Sequence, residues 1–313
     1  MRLDLGTTPW CWHSSMHAQG LCAQAELAES MGFDTFWLPE NHFGDTRAIP
    51  APMVSLAAVA ARTSRLRLGC TSYLLPIRHP LQAAEEVAVL DQLSGGRVIL
   101  GVGRGIQGPM FSAFGVAVAD KRKLFARNLD IMRSAWRGEP VVEDEHGRGL
   151  CLSPLPVQQP SPPIWVAAFG PLALKQVAGL GLPYLASPVE SIELLEQNYR
   201  RYHAEVAACS LPPVTEIPVM RTVFVTADTH QASRVRDALA HSVPATLRDK
   251  SAAVEDWAIV GDVHYLRDRL QEYVARVGVT QLILRAGIPG VSEADQLASH
   301  ACVRSVCDTT SSG

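Results

Sequence analysis

LDQLSGGRVILGVGRG, residues 90–105, carries the reading of the whole chain. Val98-Ile99-Leu100 runs without polar alternation into Gly101-Val102-Gly103-Arg104-Gly105. That is the pattern of a parallel-sheet strand buried on both faces, surfacing at a fixed cation. Upstream, Ser94-Gly95-Gly96 supplies a glycine stop for a preceding helix, and Pro80 suits the first turn of that helix, where a missing amide proton is harmless. Glycines at 103 and 105 let backbone amides approach a ligand closely, and the Arg104 guanidinium between them can fork onto two phosphate oxygens. In outline this is a phosphate clamp. The letters from Gly103 to Gly108 also fit Gly-x-Gly-x-x-Gly, but a dinucleotide fingerprint opens a helix directly. Gly108 runs into Pro109-Met110-Phe111-Ser112, and the next clear helical pattern waits until about Lys121, so the sequence argues against a Rossmann turn.

Outward from this stretch, short apolar runs alternate with helical periodicity. Strands are expected at Leu3–Gly6, Thr35–Pro39, Leu66–Thr71, Val98–Val102, Ile164–Ala168, Pro183–Ala186, Val219–Val225 and Gln281–Leu284. Eight strands interleaved with helices is the count of an α/β TIM (β/α)8 barrel, and 313 residues suit one such barrel of about 250 residues with insertions. Ile192, Leu195, Tyr199, Tyr202 and Val206 recur at helical spacing, as do Val263, Leu266, Leu270, Tyr273 and Val277, and both stripes read as core-facing packing. Residues 138–163 hold six prolines and no sustained helical period, which predicts an insertion of loops and a short hairpin. Residues 1–313 are expected to form a single barrel domain, fraying at Asp308–Gly313.

Composition narrows the function classes. A formal charge of −3 gives no electrostatic case for nucleic acid or an anionic membrane, so small molecules are the expected partners. The seven cysteines are odd in number, scattered and without a Cys-x-x-Cys pair, which argues for reduced thiols in a cytoplasmic protein. No run approaches the ~18 apolar residues of a membrane span, and no signal peptide is evident.

Barrel chemistry sits at the C-terminal ends of the strands. The candidate residues are therefore Thr8-Pro9-Trp10, Glu40-Asn41-His42, Thr71-Ser72-Tyr73, Arg104 and Ala168-Phe169-Gly170. Gly170 precedes Pro171 at the start of a helix whose amides could take a phosphate. Glu40 and His42 project to the same side, but no third metal ligand or His-Glu-x-x-His helix accompanies them, so no metal is expected. Trp10, Trp12, His13, Tyr73 and Phe111 are candidates for an aromatic lining, or plain core. Lys121, Arg122, Lys123 and Arg127 form a basic run, ordinarily a solvated face.

Taken together, FDTFWLPENHF (33–43), TSRLRLGCTSYLLPIRHPLQAAEEVAVLDQLSGGRVILGVGRG (63–105), PPIWVAAFG (162–170) and GLGLPYLAS (179–187) resemble the bacterial luciferase-like flavin-dependent monooxygenase family. The resemblance runs from the first strand to about Ser187, more weakly beyond, and its middle block is highly specific. It implies a TIM barrel holding reduced FMN, with Arg104 on the flavin phosphate and the helix start at Phe169-Gly170 beside it. It further implies a cis peptide between Thr71 and Ser72 against the isoalloxazine ring. A small organic substrate, O2, a separate flavin reductase and a homodimer are implied as partners. The luciferases themselves carry a pair of histidines where this chain has Asn41-His42, and the first acts as a base there. An amide does not titrate usefully, so the light reaction is not supported and His42 is left as the candidate proton carrier.

Two other readings stand beside the monooxygenase. Some barrels of the superfamily bind a deazaflavin coenzyme for hydride transfer, and the basic run at Lys121 would suit its acidic tail. Asn41 at the luciferase base position also motivates a non-catalytic flavin-binding protein.

Overall fold

The computed structural model describes residues 3–11, 18–43, 48–106, 108–242 and 252–310; Trp12 and His13 lie outside them. β1 (Asp4–Thr7) leads through α1 (Ala18–Ser30), β2 (Thr35–Leu38) and α2 (Pro52–Ala60) to β3 (Arg67–Cys70) and the short β4 (Tyr73–Leu74). α3 (Pro80–Ser94), β5 (Val98–Gly103), α4 (Gly108–Ala113) and α5 (Lys121–Trp136) follow. A hairpin of β6 (Val142–Glu143) and β7 (Gly149–Leu150) precedes β8 (Ile164–Ala167), α6 (Pro171–Ala178), β9 (Tyr184–Leu185) and α7 (Ile192–Ala208). Then come β10 (Pro218–Val225), α8 (Thr229–Ser242), α9 (Val254–Trp257), β11 (Ala258–Gly261), α10 (Val263–Val277), β12 (Gln281–Leu284) and α11 (Glu293–Thr310).

The large sheet is parallel throughout, in the order β11-β10-β12-β1-β2-β3-β5-β8-β9, with β4 beside β5. Its staves β1, β2, β3, β5, β8, β9, β10 and β12 correspond to the eight strands expected from the sequence and make a TIM barrel with helices outside. Among the described residues no hydrogen-bonded ladder joins β9 to β10, and side chains bridge that seam. The Tyr199 hydroxyl lies 2.7 Å from the Tyr184 carbonyl and 3.1 Å from that of Pro218. Arg221 of β10, fully buried, donates to the carbonyls of Glu190 (2.9 Å) and Ser187 (3.3 Å) and to the Tyr273 hydroxyl (2.7 Å).

Alternation along each strand divides the core into two layers. Outward residues such as Leu68, Leu100, Val166, Leu282 and Leu284 pack under the helices, whose predicted stripes on α7 and α10 are buried apart from the half-buried Val263 at the start of α10. Inward residues Trp37, Ile99, Trp165, Leu185, Met220 and Ile283 form a separate cluster that fills the barrel. Trp37 and Trp165 stack there at 4.8 Å and 21°. Only a glycine at 69 admits this plug, since a Cβ there would lie 2.1 Å from the Trp37 ring.

Two local readings are corrected. A helix does begin at Gly108, with Pro109 in its first turn where its missing amide proton is not needed, well before Lys121. The turn after Gly103 still belongs to a barrel stave, because β5 lies between β3 and β8 in the parallel sheet. β11, four residues long beside the far end of β10, was not expected, since Ala258–Gly261 is too brief a run to separate from its flanking helices. The predicted helix limits around α3 are present, with Pro80 in the first turn and Gly95 left-handed at the stop, φ +67°. Among the described residues no helix is long and apolar enough to cross a membrane.

α11 seals the start of the barrel with a buried histidine. His300 donates Nδ1–H to the Gln296 carbonyl (2.7 Å), and its Nε2 lies 2.9 Å from the Thr7 hydroxyl, with Trp10 edge-on at 5.8 Å. Burial pushes its pKa down to about 4. Above pH 6.5 the ring is neutral in both folded and unfolded chains. As pH falls from 6.5 toward 4 the unfolded chain takes up a proton that the folded chain refuses, so stability is lost across that window. The loss is roughly 3 kcal/mol. Denaturant melts at pH 7 and 4.5 should therefore show a smaller pH penalty in His300→Gln than in the wild type; equal penalties would assign the acid sensitivity elsewhere.

Candidate active site

The sequence-derived candidates fall on the adjacent staves β1, β2, β3, β5 and β8, all at their C-terminal ends. At β5, Gly103 faces Ser72 so closely that a Cβ would lie 2.1 Å from the Ser72 Oγ. A side chain at 103 would push the two turns apart, so the glycine fixes their approach. The Thr71–Ser72 peptide is cis, and Thr71 N–H donates to the Leu38 carbonyl (2.8 Å), holding this turn against the end of β2.

Arg104 follows on the same turn, half-buried. Its Nη1 donates to Gln176 Oε1 of α6 (3.0 Å) and its Nη2 reaches the Ala167 carbonyl at the end of β8 (3.4 Å), while Phe125 lies under the guanidinium at 5.7 Å. All these partners are neutral. Burial, and then the nearby Arg122, lower its pKa, though a guanidinium stays charged in a protein. Lys121 leans onto the same turn, its Nζ 3.4 Å from the Gly105 carbonyl and 5.7 Å from the centre of the Phe111 ring. The start of the basic run is thus folded against the Arg104 turn, whereas Lys123 and Arg127 are exposed. Gly170, at φ +80°, caps α6 with Pro171 behind it, and Phe169 beside it is 56% exposed. Cation, helix start and bent turn are therefore contiguous. Their chemistry fits a phosphate: an unneutralised guanidinium, with no carboxylate partner among the described residues, next to backbone amides.

At the end of β2, Glu40 is the hub of a buried network. Its carboxylate accepts from Leu74 N–H (3.0 Å), pairs with Arg78 (2.7 Å) and takes a 2.7 Å hydrogen bond from His42 Nε2. With Nε2–H committed to the carboxylate, the lone pair is on Nδ1, for which no partner is found among the described residues. The ring packs edge-on against Phe114 (5.0 Å), with exposed Phe43 alongside. Asn41 does different work: its side-chain oxygen accepts from Ile49 N–H (2.8 Å), and its own N–H donates to the Ile49 carbonyl (3.3 Å), closing the loop.

Sequence reasoning missed Arg78, Gln176 and the Tyr73–Glu86 pair. The Arg78 guanidinium lies 3.8 Å over the Tyr73 ring, and the Tyr73 hydroxyl donates to Glu86 (2.6 Å), so Tyr73 faces α3 and supports Arg78. Burial alone would lower the Arg78 pKa; Glu40 and Tyr73 outweigh it and hold it above its ordinary value. The third partner of the Glu40–His42 pair is thus a cation. Trp10 packs under α11 and Phe111 beneath the Gly105 turn, both buried.

The sequence profile of the family described as luciferase-like monooxygenase matches residues 5–281. The chain belongs to the luciferase-like monooxygenase family. An alkanal monooxygenase alpha chain from the Kryptophanaron alfredi symbiont is 33% identical over 165 residues, covering 52% of this chain and 46% of its own. The oxygenase component of the flavin-dependent trigonelline monooxygenase from Acinetobacter baylyi is 26% identical over 218 residues, 67% and 59% of the two chains. The chain spans about half the length of the curated relatives it matches. Among solved structures, the monooxygenase RslO1 from Streptomyces bottropensis superposes with TM-score 0.78 at 25% identity over 97% of both chains. The oxygenating constituent of 3,6-diketocamphane monooxygenase from Pseudomonas putida, in complex with FMN, gives 0.78 at 18% identity, again over 97% of each. The coenzyme F420 dependent tetrahydromethanopterin reductase from Methanopyrus kandleri gives 0.72 at 18% over 97% of each. At 18% identity the likeness to these last two structures is one of fold.

Proposed function

We propose that the protein is a flavin-dependent monooxygenase that uses reduced FMN and O2 to oxygenate a small organic substrate. The observation that carries this is Arg104, a half-buried cation with only neutral partners at the joined ends of β5 and β8, beside the helix start at Gly170. When bound, the flavin would supply the electrons that activate dioxygen. Arg104 and the Gly170 turn hold the phosphate, with Phe169 flanking it, and Thr71 and Ser72 bear on the ring. His42 moves a proton through Nδ1, oriented by Glu40 on Nε2. Phe43 and Phe114 beside His42 help to exclude water. The naming of the Acinetobacter relative as an oxygenase component supports a separate reductase as the source of reduced flavin.

A second reading rests on Lys121 leaning onto the Arg104 turn and on exposed Arg122, whose charge is felt at Arg104; such cations would suit the acidic tail of a deazaflavin coenzyme. Fluorescence titration decides between them: FMN is expected to bind more tightly than the deazaflavin coenzyme, and NADH oxidation by the protein plus FMN alone should be negligible. Tighter deazaflavin binding, or robust NADH turnover without a reductase, would overturn the FMN reading. FMN binding with no oxygen consumption across a substrate panel would favour a carrier.

A further inference from the structure

A second uncompensated cation stands across the barrel from Arg104. In the stave order β12-β1-β2-β3-β5, the strand carrying Arg285 is four places from the strand carrying Arg104, which in a barrel of eight staves is the opposite wall. Arg285 continues β12: its N–H donates to the Arg221 carbonyl (2.8 Å), and Ala286 N–H donates to the Thr8 hydroxyl (3.0 Å). Inter-strand hydrogen bonding thus runs past the end of β12, and the period of two is carried with it. Leu284 and Ala286 on either side belong to the outward layer, while Ile283 belongs to the inward plug with Trp37 and Trp165. Arg285 therefore points inward, one layer above Ile283 toward the mouth. Thr7 and Arg221 are the residues paired with Leu284, so one step further on Arg285 is flanked by Thr8 and Thr222, both buried.

Among the described residues the Arg285 side chain makes no hydrogen bond and no ion pair. Desolvation is the sole cause of its lowered pKa; no carboxylate offsets it. The contrast with Arg221 and Arg78, each fully engaged by carbonyls, hydroxyls or a carboxylate, marks Arg285 as an exception within the same barrel. A half-buried guanidinium without a partner costs stability, and such groups are kept where a ligand completes them.

We propose that Arg285 recognises the substrate through an anionic group, and that the substrate class is a small monocarboxylate with an apolar body. The planar fork of a guanidinium matches a carboxylate bidentately, and the floor beneath it, Ile283 with the stacked tryptophans, is apolar. A flavin phosphate held at Arg104 leaves this opposite cation for a different molecule. The inference rests on the monooxygenase reading for its word substrate, but not for the site itself.

The test uses benzoate and octanoate, each against its amide, titrated calorimetrically into the full-length wild type, Arg285→Gln and Arg285→Lys, with FMN affinity measured on the same three proteins. At least one acid should bind the wild type about tenfold or more tightly than its amide; Arg285→Gln should erase that preference and Arg285→Lys keep part of it. FMN affinity should be unchanged, and the melting temperature of Arg285→Gln should equal or exceed that of the wild type, since an unpaired charge is removed. No acid preference in the wild type, the same preference in Arg285→Gln, or melting temperatures lowered in both variants would each overturn the proposal. A loss of FMN affinity in Arg285→Gln would also overturn it, by assigning the cation to the flavin. Failure of the wild type to bind FMN, with an acid preference that depends on Arg285, would sink the flavin reading and leave this one standing.

Discussion

Arg104→Ala is expected to weaken FMN binding by about tenfold or more while leaving the affinity for riboflavin, which has no phosphate, unchanged. Loss of a charge-assisted contact removes ~1.5 to 3 kcal/mol. The fold should survive, because the partners released are the Gln176 side chain and the Ala167 carbonyl, which together make two neutral hydrogen bonds at 3.0 and 3.4 Å. With burial and Arg122 both acting against the charge, the site without an anion is if anything relieved by the substitution. Fluorescence titration of both flavins with both proteins separates the outcomes. Equal FMN affinities would remove Arg104 from the phosphate site, and parallel losses for FMN and riboflavin would show that it shapes the pocket without reading the phosphate.

What the sequence made legible is what a local pattern can carry. Val98–Gly103 is buried at every position, as a run without polar alternation requires, and the left-handed Gly95 ends α3 where the Ser-Gly-Gly triplet predicts. Arg104 could be singled out because a fixed charge directly after such a strand has no reason to exist in packing terms. The same signal recurs in QLILRAG at Arg285, an apolar strand again ending in a cation, and passed unnoticed there because no glycine bracket framed it.

Contacts made only by closing the barrel were not legible. Glu40 and Arg78 are far apart in sequence and meet because β2 and β3 are neighbouring staves, with the chain after β4 turning back over the end of β2. Gln176 meets Arg104 across 72 positions because β5 pairs with β8 and α6 starts immediately beyond it. A clue was present for the first pair: a carboxylate directly after a fully buried strand needs a counter-charge, and Arg78 stands two residues before the helix start at Pro80. Nothing local pointed to Gln176, since a neutral amide on a helix face is ordinarily solvated.

The largest stability effect is expected at Glu40. Its side chain is wholly buried and holds three groups at once: the Arg78 guanidinium, the Leu74 amide and His42 Nε2. Glu40→Ala leaves the half-buried Arg78 without its counter-charge, held only by the Leu74 carbonyl and the Tyr73 ring, and the Leu74 amide without its acceptor; breaking such a pair from one side costs about 3 to 5 kcal/mol. Glu40→Gln keeps the shape and one acceptor oxygen, so its denaturant midpoint should fall between those of alanine and wild type. His42→Ala leaves the Glu40–Arg78 pair intact, so the fold should hold while turnover falls and one limb of the pH–rate profile disappears, measured at full flavin occupancy. Asn41→Ala should instead loosen the loop tied at Ile49, lowering stability or flavin occupancy and leaving the pH profile of the remaining activity unchanged. A wild-type pH profile in His42→Ala would mean that the histidine only fills space beside Phe114. An Asn41→Ala enzyme more impaired than His42→Ala at saturating flavin would place the chemistry in positioning rather than proton transfer. The substitutions at Glu40 and His42 thus separate the buried carboxylate, which orients, from the imidazole it holds.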